Sequence, residues 1–245
     1  MNIIKKCDYK YKFLNVILIS FFQLILGVSV FSKEVTVNKN IPNGEIFEKL
    51  NQKIDLNLTF TNQDGQKIKL KDLFVNEEVV IFTLNYFKCT TMCAFQFVNL
   101  ATTLKKMDWP IGSGFRIATI SFDPYDTYEI AKEKQKVWVP KTGQKDAKWD
   151  FLVGDSKNIN VFLKDLNFYY ELDPHTGEYS HGAALFFIKN DGTFYRYLYG
   201  IVYDPQDIKN ALVESSNGKL GSFFEKIYTK FKKFQIQTGK YASSF

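Results

Sequence analysis

Cys89 and Cys93 stand four positions apart, with Thr90, Thr91 and Met92 between them, and thiols at that spacing offer a short list of chemistries. Residues i and i+4 of a helix share one face about 6 Å apart along the axis, within the separation a disulfide tolerates and close enough for two sulfurs to meet one metal ion. A helix N-terminus also carries partial positive charge, which favours thiolate over thiol. A structural disulfide is the plainest use of the pair, but closing so short a loop constrains the unfolded chain little. The chain has two histidines, His175 and His181. Two thiolates with one imidazole form a soft donor set that suits copper, most readily Cu(I), although zinc with an added water would also satisfy it. A hydrolytic zinc site is poorly supplied, since there is no His-Glu-x-x-His motif.

These residues must be positioned by the elements around them. Val79, Val80, Ile81, Phe82, Thr83 and Leu84 form an apolar, β-branched run that predicts a strand buried on both faces. From Cys89 onward Phe95, Val98, Leu100 and Leu104 recur at helical spacing, so the strand is expected to feed a helix whose first turn carries both cysteines and which stops near Pro110. A strand at 115–122, a helix at 127–138, a strand at 149–153 and a helix capped by Asp155 or Ser156 follow. Strand alternating with helix at this spacing points to a layered α/β sheet. Ahead of it, 56–60 and 67–70 alternate around the turn Asn62-Gln63-Asp64-Gly65 as a hairpin. Beyond it, 183–188 reads as a second buried strand, Asn190-Asp191-Gly192 as a hairpin turn, 194–199 as the return, and 205–215 as a final helix. His181 immediately precedes the strand expected beside the cysteine strand, and loops at strand ends form the usual site of an open α/β sheet. His175, between Pro174 and Thr176, reads as a solvated turn residue.

Residues 1–32 are a lysine-bearing start followed by an apolar run, read as a signal peptide or membrane anchor that leaves the rest of the chain outside the cytoplasm. Residues 33–221 then read as one domain, and 222–245 as a basic aromatic tail in which Phe224, Ile227, Tyr228 and Phe231 predict an amphipathic helix, packed on the domain or, as the alternative, lying on a membrane surface. Half of the net charge of +6 belongs to residues 1–32, and Arg116 and Arg196 are the two guanidinium groups. Charge this weak and dispersed excludes a nucleic-acid footprint. Cys7 stays on the cytoplasmic side, so Cys89 and Cys93 are the exported pair.

Tyr86-Phe87-Lys88-Cys89-Thr90-Thr91-Met92-Cys93, the run Ser121-Phe122-Asp123-Pro124-Tyr125-Asp126-Thr127, Tyr179-Ser180-His181-Gly182-Ala183-Ala184 and Tyr197-Leu198-Tyr199-Gly200 resemble the Sco/SenC family, in the right order. The resemblance implies a thioredoxin-like sheet flanked by helices, here with an N-terminal hairpin and a C-terminal helical extension. It also implies copper bound by Cys89, Cys93 and His181, and delivery of that copper to the dinuclear centre of cytochrome c oxidase or reduction of that centre's cysteines. The partners so implied are the oxidase's copper-centre subunit, a thiol reductant or copper donor, and a membrane held by the N-terminal segment, with the chain on the periplasmic face of a bacterial inner membrane. Thr90 stands where relatives commonly have Pro, and Ser180 where many have Asp. The competing class is a thiol-disulfide oxidoreductase that cycles Cys89 and Cys93 without obligatory copper.

Overall fold

In the computed structural model, residues 46–217 other than 90 and 108 are described; the leader at 1–32 and the tail at 222–245 lie outside them. The strand predicted ahead of the cysteines is β3 (Glu77–Asn85). It occupies the centre of a five-stranded sheet in the order β5-β4-β3-β8-β9, where β4 is Gly114–Ser121, β5 Trp149–Leu152, β8 Ala184–Lys189 and β9 Phe194–Tyr199. β3, β4 and β5 run parallel, whereas β8 pairs antiparallel with β3 and β9 with β8.

Both faces of β3 are covered, which is why its sequence is a continuous apolar run instead of an alternating one. Val80, Phe82 and Leu84 pack on one side with Phe60, Phe122 and Phe162. Val79 and Ile81 pack on the other with Phe97, Leu100 and Ile208. The first layer holds α3 (Ser156–Leu166) and the separate hairpin β1 (Thr59–Thr61) with β2 (Lys67–Lys69). The second holds α1 (Met92–Lys105) and α4 (Pro205–Asn217), with α2 (Tyr128–Trp138) packed near β5. This is a thioredoxin-like arrangement.

Local chemistry sets the boundaries. The Asp155 carboxylate accepts from Asn158 N–H at 2.8 Å and so caps α3. The β8–β9 turn depends on Gly192 at φ +83, a conformation that costs glycine nothing. One pair of strands had no clear signal. β6 (Tyr170–Leu172) and β7 (Tyr179–His181) form a two-stranded ribbon of their own, whereas the sequence marks only the turn around His175. Because β8 runs opposite to β3, the segment 181–183 ahead of β8 lies at the carboxyl end of β3, beside the cysteines.

Candidate metal centre

Strand β3 ends at Asn85, and segment 86–89 turns back on itself through Cys89 N–H to Tyr86 O at 3.1 Å. α1 then begins at Met92, with Thr91 as its N-cap residue. The expectation that both cysteines share the first helical turn is therefore corrected: Cys93 is in that turn, and Cys89 precedes the helix. The physical reason lies in the orphan amides of a helix start. Cys89 sits just ahead of the first turn, so its sulfur can accept from the backbone N–H groups of Cys93 and Thr91.

Both sulfurs are buried and unbonded to each other. Their acidities diverge, which corrects the expectation of two acidified thiols. Burial alone would push Cys89 up, but hydrogen bonds from the Cys93 amide, the Tyr86 hydroxyl, the Cys93 thiol and the Thr91 amide outweigh it and hold Cys89 below an ordinary thiol. Cys93 is pushed well above one, first by deeper burial and then by its hydrogen bond to Cys89 and the charge there. Cys89 is thus the more acidic sulfur of the pair, and Cys93 holds its proton.

His181 ends β7 and brings its ring to Cys93, Nε2 to Sγ, at 3.5 Å. Its Nδ1 lies 2.8 Å from Gly182 O. A carbonyl can only accept, so Nδ1 carries the proton and Nε2 keeps the free lone pair that faces the sulfur. Phe122, Phe168 and Tyr86 surround the ring at centroid distances of 5.0, 5.8 and 6.2 Å. Burial lowers the histidine's pKa below 6.5, outweighing the Gly182 hydrogen bond, so the imidazole is neutral at pH 7.

Cys89, Cys93 and His181 are thus brought together, while His175 is not. It is exposed in the β6–β7 turn, its N–H bound to Asp173 Oδ1 at 2.8 Å. Ser180 is also exposed and pairs with Glu171; the contact that orients the His181 ring is made by the Gly182 carbonyl. Among the described residues no three His, Cys, Asp or Glu side chains already form a closed metal cage. The candidate donors nevertheless fit copper: two sulfurs, one of them more acidic than an ordinary thiol, and an unprotonated Nε2 in an aromatic surround suit a soft, weakly hydrated ion.

Sequence reasoning missed the residues behind the donors. The Asn85 amide donates to Gln96 Oε1 at 2.9 Å, and Gln96 Nε2 to the Tyr203 hydroxyl at 2.7 Å, all buried, and Asn85 also contacts Cys93. Nothing in the spacing of Asn85, Gln96 and Tyr203 announces that chain.

A family model described as SCO1/SenC matches residues 48–216. The chain belongs to the SCO1/SenC family. Solved structures of the family share its fold. A SCO1/SenC family lipoprotein from Bacillus anthracis str. Ames is 25% identical, with 70% of this chain and 99% of that one covered at a TM-score of 0.54. Arabidopsis thaliana ScoI with copper bound is 19% identical, covering 70% and 100% at 0.55. BsSco, a member of the Sco family of cytochrome c oxidase assembly proteins, is 23% identical, covering 71% and 99% at 0.52. A comparison with curated proteins returned no match.

Proposed function

We propose that this SCO1/SenC protein binds one copper ion through Cys89, Cys93 and His181 and hands it to the dinuclear copper centre of cytochrome c oxidase. The observation that carries this reading is the His181 ring, whose Nδ1–H is tied to Gly182 O while its free Nε2 faces Cys93 Sγ at 3.5 Å. A neutral imidazole with its Nε2 lone pair free beside a thiol is the form in which histidine ligates a metal. Family membership and the copper in the Arabidopsis relative support the assignment of metal. The description of BsSco supports the acceptor.

When bound, copper supplies a transferable Cu(I) or Cu(II) held by soft donors. The chain's own residues do the rest. The amides of Cys93 and Thr91 and the Tyr86 hydroxyl make Cys89 more acidic than an ordinary thiol, and Gly182 O fixes the histidine's tautomer. Cys93 must lose its proton to serve as a ligand, so copper uptake releases protons. Residues 1–32 act as a signal or anchor that sets the domain on the periplasmic face of a bacterial inner membrane, where a thiol reductant or copper donor resets the pair. No helix among the described residues is long and apolar enough to cross a membrane.

Titration of the reduced protein with Cu(I) tests this. One equivalent is expected to bind, and Cys89→Ser and Cys93→Ser are each expected to lose it. Tight retention in both single variants would place the site elsewhere.

A second reading has an observation of its own. The split between a low Cys89 and a high Cys93 is the arrangement of a thiol-disulfide oxidoreductase. There the Cys89 thiolate attacks a partner disulfide and expels one partner thiolate. Cys93 then gives its proton to His181 Nε2 and displaces the second, leaving the Cys89–Cys93 disulfide and a reduced partner.

A further inference from the structure

The Asp126 side chain is fully shielded from solvent, although neither reading above uses it. Its Oδ2 accepts two short hydrogen bonds, from Phe87 N–H and from the Ser121 hydroxyl, each at 2.6 Å. Its Oδ1 is buried with no hydrogen-bond partner, and Lys88 Nζ stands 3.9 Å from it. Burial raises the Asp126 pKa, opposed by the Ser121 and Phe87 donors and by Lys88, and contacts this short suit a charged acceptor. A buried carboxylate with one unmatched oxygen costs stability, a cost that asparagine or an apolar residue would avoid if the turn needed only shape.

The carboxylate is itself held rigidly. Asp126 N–H donates to Asp123 O at 3.2 Å, Tyr125 N–H to Asp123 Oδ1 at 2.9 Å, and Asp123 N–H to Ser121 Oγ at 3.2 Å. It therefore links the turn after β4 to segment 86–89, at the carboxyl ends of two adjacent parallel strands. That segment carries Cys89, two residues beyond the clamped amide of Phe87.

We propose that Asp126 is a positioning residue for Cys89. As a carboxylate it fixes the Phe87 amide and draws in Lys88, so that the Cys89 sulfur stays where the Thr91 and Cys93 amides and the Tyr86 hydroxyl reach it. The inference rests on the reading of Cys89 as the working sulfur.

The test compares Asp126→Ala and Asp126→Asn with the control Tyr125→Ala, whose side chain lies in the same turn but is 79% exposed. Thermal unfolding checks that each variant folds. Cu(I) affinity is read by chelator competition, and the thiol–disulfide equilibrium against glutathione. Asp126→Ala is expected to weaken copper by about tenfold or more, the usual effect of removing a residue that orients a ligand. It is also expected to move the thiol–disulfide equilibrium constant by about tenfold, about 30 mV for this two-electron couple. Asp126→Asn keeps an accepting oxygen without the charge and should shift both in the same direction by less, while Tyr125→Ala matches the wild type. A folded Asp126→Ala with wild-type values in both measurements overturns the proposal. If Asp126→Ala does not fold, Asp126→Asn decides, and wild-type values there overturn it. Should the wild type bind no Cu(I), the copper reading falls, while the glutathione equilibrium still judges Asp126.

Discussion

One backbone carbonyl decides what His181 is. With Nδ1–H committed to Gly182 O and the ring among Phe122, Phe168 and Tyr86, the imidazole is held neutral in the fold. The unfolded chain takes up a proton near 6.5, whereas the folded one does so only at lower pH, so the unfolded state binds more protons in between. The copper-free protein should therefore keep this contribution to stability above pH 6.5 and lose it as pH falls through the folded value. Urea unfolding across that window should show the slope in the wild type and a smaller one in His181→Gln. The residue types Cys89, Cys93 and His181 were legible in the sequence, because sulfur and imidazole are scarce in this chain. Their protonation was not. The opposite shifts of Cys89 and Cys93 follow from unequal burial and from contacts with Tyr86 and Asn85, which spacing cannot reveal.

At the scale of elements, the periodic ones were legible: β3, α1, β4 and the capped α3 all lie where the apolar pattern puts them. The start of α1 was not, because Cys89 is a helical-spacing partner of Cys93 whether or not the turn before it is helical. Nor was β7, whose three residues are too few to show alternation and whose pairing with β6 is settled by tertiary contacts. That ribbon carries His181, so the least legible element places the proposed third donor. The link between β5 and α3 is tightly fitted as well. A Cβ at Gly154 would lie 2.8 Å from the Phe60 ring and 3.3 Å from Ile159 Cγ1, and Phe60 is buried against Phe162. Gly154→Ala is expected to destabilise the fold by about 1–3 kcal/mol through overpacking, measured by urea unfolding. Unchanged stability would mean that the layer holding Phe60 yields more easily than its packing implies.

Over the domain as a whole, the sheet's strand order explains why the donors meet. β3 and β4 run parallel and end at the same edge, delivering the Cys89 segment and the Asp123–Asp126 turn together, while β8 runs the opposite way and starts there, just after His181. Residues nearly ninety positions apart in the chain thus reach contact without any long arm. The central claim is that His181 completes a three-donor copper site, and the most direct measurement is Cu(I) affinity by chelator competition for the wild type, His181→Ala and His175→Ala. His181→Ala is expected to weaken copper by about tenfold or more while Cys89 and Cys93 still form a disulfide, and His175→Ala to bind like the wild type. Equal affinities for His181→Ala and the wild type would contradict the account and leave the dithiol oxidoreductase in its place.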